Sequence, residues 1–337
     1  MLKNHPITNY SITQLQNMLQ RLFGWIRPST LTQSPQPAVP PVQPKVLLVI
    51  HNPRVPSYGG RKLHEVMRWQ NPDELVAQYI YDVNVASHGY VNYEIAERIE
   101  VDGFPVKQDG FVYDAESYVH RFTTRTGFHE PDGVDYGRIL QEFDIIPKIN
   151  AGTIDEVWLM AFPYAGYFES RMVGKDAFWC NAPPLIEPAA QRRFVIMGFS
   201  FERGPGEMLE NLGHRVESIM SHVYRRQRGE ANLWEKFSRY DQKHPGQAEC
   251  GNVHFAPNSE RDYDWGNRRT VPSRCHTWLN FPDLSGEPQP VNCREWGNGE
   301  IRQHHLWWLG HLPHVAGKMR GITNNWWEYI IKPNYVD

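Results

Sequence analysis

Three short runs of almost unbroken apolar residues constrain this chain more than any other feature: 45–50 (KVLLVI), 156–162 (EVWLMAF) and 194–201 (FVIMGFSF). Each has the length of a strand. Successive strand side chains point to opposite faces, so a continuous apolar run is stable only where both faces of its sheet are covered. Helix-like stretches at 73–85, 136–150 and 206–224 lie between or after these runs, and 93–101 alternates like a half-buried strand. The pattern predicts an α/β fold, a mostly parallel sheet of at least four strands with flanking helices.

The segments outside that pattern divide the rest of the chain. Residues 1–64 contain no Asp or Glu, and Ile12, Leu15, Leu19, Leu22 and Ile26 recur at helical spacing, which predicts a basic amphipathic leader over 1–27. Its face at 12–26 could lie on a membrane surface or dock on a partner. Six prolines in 28–44 predict an extended linker ahead of an α/β domain at 45–229. Residues 230–337 are rich in Trp, His, Asn, Gly and Pro, and read as an irregular, loop-rich region packed on that domain as part of the same globular unit.

Charge and chain chemistry exclude some functions. A formal net charge of −3 gives no basic footprint for a phosphate backbone, so nucleic acid is not an expected partner. No apolar run approaches the ~20 residues of a membrane span, and polar residues such as Gln14, Asn17 and Arg21 interrupt any standard secretory signal. Cys180, Cys250, Cys275 and Cys293 contain no CxxC element; their even number permits one or two disulfides.

In open α/β sheets, ligands bind outside the carboxyl ends of the strands. That rule nominates Tyr164 after the third strand, and Glu202 with Arg203 after the fourth, just before a Gly-Pro-Gly helix start whose free amides could hold an oxyanion. On the next helix Glu210, His214 and Glu217 share the side away from the apolar arc, so imidazole and carboxylates project from neighbouring turns. A distant His254, His304 or His305 would complete a zinc site with His214 and Glu217. Glu210 or Glu202 would then act as general base, and Arg203 or Tyr164 would meet developing negative charge. The segment DYDWGN (262–267) is similar to a calcium loop, with Trp265 in the place of a ligand and Gly266 one position early, so calcium is a further candidate ion.

The segments RMVGKDAFWCNAPP, GFSFERGPGEMLENLGHRVESIMSHVY, CGNVHFAPNSERDYDWGN and HHLWWLGHLPH resemble an uncharacterised family of bacterial, often exported, proteins with no assigned activity. The resemblance implies an extracytoplasmic setting and carries no catalytic residues. Two functions follow as expectations. The first is a zinc-dependent hydrolase acting on a peptide or glycan bond. The second is a non-catalytic carbohydrate-binding or cell-surface protein in which exposed Trp265, Trp296, Trp307, Trp326 or Trp327 stack on sugar rings.

Overall fold

A computed structural model describes residues 39–336, and the predicted leader and most of the predicted linker lie outside them. The strands of the main sheet are β1 (Lys45–His51), β2 (Glu94–Val101), β3 (Glu156–Ala161), β4 (Ser170–Val173) and β5 (Phe194–Ser200). They form one sheet in the order β2-β1-β3-β5-β4, parallel throughout except for β4, which runs antiparallel to β5. The expected α/β class is the observed one. Strand β4 leaves no strand signal in the sequence, because it is four residues long and sits inside an irregular segment.

The apolar runs are continuous for the reason their composition suggests. Val46, Leu48, Ile50, Trp158, Met160, Val195, Met197 and Phe199 join the larger core on one face, while Leu47, Val49, Val157, Leu159, Phe194 and Ile196 join a second core on the other. The helices that cover the sheet include α1 (Pro72–Ala86), α2 (Tyr136–Glu142), α3 (Ile145–Ala151), α4 (Pro205–Val223) and α5 (Ile301–Gly310). The single helix predicted over 136–150 breaks into α2 and α3 because Asp144 adopts a left-handed conformation, φ 54°. Ile139, Leu140, Ile145 and Ile149 on these two helices fill the second core. No helix among the described residues is long and apolar enough to cross a membrane.

Helix α4 organises the first face. Pro205 opens it, and the Glu207 carboxylate accepts a hydrogen bond from the Gly204 amide at 3.0 Å. That bond commits the Gly204 amide of the expected anion-holding helix start to the protein's own carboxylate. Met208, Leu209, Leu212, Val216, Ile219 and Met220 are buried against the sheet, as their spacing predicted. Arg215, fully buried, places Nη1 2.8 Å from Glu156 Oε2 and donates from Nη2 to the Ile330 carbonyl at 2.7 Å. Trp158 Nε1 donates to the other Glu156 oxygen at 2.7 Å, so one buried ion pair fastens α4, β3 and the C-terminal segment together.

The region after 229 is irregular over much of its length, with Ile301–Gly310 its longest helix. The described residues belong to one compact unit, and Arg302 on α5 forks onto buried Asp82 of α1 with two contacts of 2.7 Å. The proline-rich stretch likewise enters the fold earlier than the expected boundary at 45. Val42 accepts from Asn92 and donates to Tyr90, and the Pro44 carbonyl accepts from Glu94, since an extended Pro segment keeps its acceptors even where it lacks a donor. All four cysteines are buried free thiols, so the disulfides their even number permitted are not formed.

Candidate functional site

Glu210 and His214, one turn apart on α4, meet His254 from the loop that crosses this helix, and the ligand atoms of the three lie within 4.8 Å of one another. Among the described residues it is the one such group that could hold a metal ion. The crossing is close because α4 carries a glycine there. A Cβ at Gly213 would come 2.5 Å from buried Val253, the neighbour of His254, so any larger residue would push the loop outward.

The two imidazoles are oriented in the same way. His214 Nδ1 lies 3.1 Å from Glu217 Oε2, and His254 Nδ1 lies 3.0 Å from Asp262 Oδ1. A carboxylate on Nδ1 keeps a proton there, which leaves the Nε2 lone pair of the neutral ring for a metal. Both Nε2 atoms then face Glu210 Oε1, at 3.3 Å from His254 and 4.0 Å from His214. Tetrahedral ligands at bonds of roughly 2.0–2.2 Å stand roughly 3.3–3.6 Å apart, so the group is close to the spacing a metal requires. His254 Nε2 is also buried without a hydrogen-bond partner.

The electrostatics suit a cation. Burial disfavours the Glu210 charge, yet contact with His254 and the charges of His305 and His214 outweigh it and hold the carboxyl below its usual range. His214 is desolvated too, but Glu217, Glu169 and Glu210 raise its pKa; the Glu210 contact likewise raises that of His254 against a smaller desolvation. Excess negative charge around two imidazoles is what a divalent ion would neutralise.

Glu169 connects this group to a cleft. Its Oε2 lies 3.9 Å from His214 Nε2 and accepts from Asn181 Nδ2 at 2.5 Å. The backbone holds it in place, since the Gly198 amide donates to the Glu169 carbonyl at 3.0 Å, and a Cβ at Gly198 would strike the Phe168 carbonyl oxygen at 2.3 Å. With Glu169, residues Tyr164, Glu202, Arg203, Glu207 and Asn211 line a cavity of about 530 Å³ over the carboxyl ends of β3 and β5. Lys107, buried below, donates to the Tyr164 carbonyl at 2.7 Å and so fixes the rim.

Several predicted roles change. Glu217, expected as a ligand, orients His214 and also accepts from the Val253 amide at 3.2 Å, because the i, i+3 spacing brings it against the ring itself. Glu210, expected as general base, belongs to the group that could hold a metal ion. Glu202 is paired with Arg203 at 3.9 Å in the cleft. His304 is fully buried and stacked on Trp265 at 5.0 Å, apart from the group. His305 is buried with Nδ1 2.8 Å from the Ile301 carbonyl and Nε2 without a partner; it is near enough to couple to Glu210, His214 and His254 without joining them.

The calcium reading of DYDWGN is corrected. Asp264 Oδ2 accepts from the Glu260 amide and Asn267 Nδ2, while Asp262 is committed to His254, so the carboxylates serve the loop and the imidazole. The sugar-stacking tryptophans are corrected as well. Trp265, Trp296, Trp326 and Trp327 are buried, and half-buried Trp307 packs on Trp296 at 5.1 Å, because the C-terminal region needs them as core. Nothing in the sequence singles out Glu169, Asp262 or Tyr263 individually, although the last two lie in DYDWGN. Comparison with protein-family models, curated proteins and solved structures finds no match to this chain.

Proposed function

We propose that this protein is a zinc-dependent hydrolase acting on a peptide or glycan bond. The observation that carries the reading is the pairing of a Glu/His/His group, each imidazole oriented by its own carboxylate, with a further carboxylate, Glu169, that opens onto a cleft. Three protein ligands and one open position are the pattern of catalytic zinc sites. A bound zinc would supply Lewis-acid polarisation and bring the pKa of a coordinated water to about 7.

On this reading each protein group has a separate task. Glu210, His214 and His254 would hold the ion, and Glu217 and Asp262 orient the imidazoles. Glu169 takes the proton from the attacking water, since it stands beside His214 without being one of the three ligands and its side chain is 39% exposed. Arg203 and Tyr164, further along the cleft, meet negative charge that develops on the substrate. The extracytoplasmic setting implied by the sequence resemblance fits a peptide or glycan substrate.

The reading is tested on a panel of peptides and glycans. Hydrolysis by the full chain should disappear after chelation and return when zinc is restored. Hydrolysis that persists in protein shown to be zinc-free would overturn the assignment.

A further inference from the structure

The segment DYDWGN is too ordered and too close to the metal group to be a passive loop. Trp265 anchors it from below, donating to the Val253 carbonyl at 3.2 Å and accepting from Trp296 Nε1 at 2.7 Å. Asp264 closes it through the Glu260 amide at 3.1 Å and Asn267 Nδ2 at 2.8 Å, and Asn258 Nδ2 holds the Asn267 and Arg269 carbonyls. Two residues are left to face the site. Asp262 reaches His254 Nδ1 at 3.0 Å. Tyr263 donates its amide to the His254 carbonyl at 3.1 Å and sets its ring 4.4 Å from the imidazole while remaining 52% exposed.

We infer that this loop is the outer shell of the metal site: Asp262 is the positioning residue that fixes His254 with Nε2 toward the ion, and Tyr263 presents a phenolic donor to an oxygen of whatever binds at the open coordination position. The inference rests on the proposed metal site and adds what holds and completes it. Three features carry it. The loop holds His254 through the Tyr263 amide and ring, Asp262 is the carboxylate on its Nδ1 while Nε2 is turned to Glu210 Oε1 at 3.3 Å, and the Tyr263 side chain is exposed beside the group.

The test uses the full chain with zinc, cobalt(II) and acetohydroxamate, an oxyanion that binds metals through open positions. Asp262→Asn, nearly isosteric, should weaken zinc about 10- to 100-fold and shift the visible bands of the cobalt-loaded protein, with Asp262→Glu recovering part of both. Tyr263→Phe should leave zinc affinity within about twofold but weaken acetohydroxamate about tenfold, the effect of one lost hydrogen bond. Circular dichroism on each variant checks that the fold is kept. Zinc affinity and cobalt bands unchanged in Asp262→Asn, or acetohydroxamate binding unchanged in Tyr263→Phe, would overturn the loop's role while leaving the metal site standing. A wild-type chain that binds no zinc would remove the site and this inference together.

Discussion

Glu169→Gln is expected to keep its zinc and lose at least about a hundredfold in kcat, the range associated with removing a positioned general base. The amide retains the shape of the side chain and its contact with Asn181, so the cleft wall should not move. What it loses is the capacity to take a proton 3.9 Å from His214 Nε2. The change should fall on kcat more than on KM, because the carboxylate contributes to the transition state and not to ground-state binding. Zinc content and steady-state kinetics on the same preparation check it. A variant with wild-type kcat would mean that the proton goes elsewhere, and a variant without zinc would mean that Glu169 is a ligand.

The second large effect is structural. Arg215→Met should lower the unfolding free energy by about 3–5 kcal/mol, the cost of leaving the partner of a buried ion pair uncompensated. Glu156 would remain 2% exposed with only Trp158 and Tyr93 as donors, and the Ile330 carbonyl would lose its partner. Replacing both charges together, Glu156→Leu with Arg215→Met, should cost much less than the single change, since apolar pairs of similar size often substitute for buried salt bridges. Urea unfolding of the two variants measures this. A single-variant loss under about 1 kcal/mol would show that water or a rearranged neighbour compensates Glu156.

The contrast between these two predictions reflects what a sequence makes visible. The sheet was legible because burial on both faces leaves a continuous apolar run, and 45–50, 156–162 and 194–201 all carry one. The orientation of α4 was legible for the same reason, as its apolar arc has a helical period. Glu210, His214 and Glu217 could be placed on one side of it, but their division of labour could not. That division depends on side-chain reach: Glu217 folds onto Nδ1 of His214, while Glu210 meets a histidine forty-four residues away. The assignment of His254 required knowing that Gly213 lets the Val253 loop approach. The tryptophans misled because exposure is a property of the packed chain; a region with little helix or strand builds its core from its largest apolar side chains, and these were they. Glu169 left no signal at all, since it lies in irregular sequence and is brought to α4 by the loop passing over Gly198.

Calorimetric titration of zinc into the metal-free full chain is the direct test of the Glu210, His214 and His254 group. One zinc should bind per chain in the wild type, and Glu210→Ala, His214→Ala and His254→Ala should each abolish it without unfolding the protein, whereas His304→Ala should retain it. No stoichiometric binding in the wild type, or undiminished binding in His254→Ala, would contradict the site and the hydrolase proposed from it.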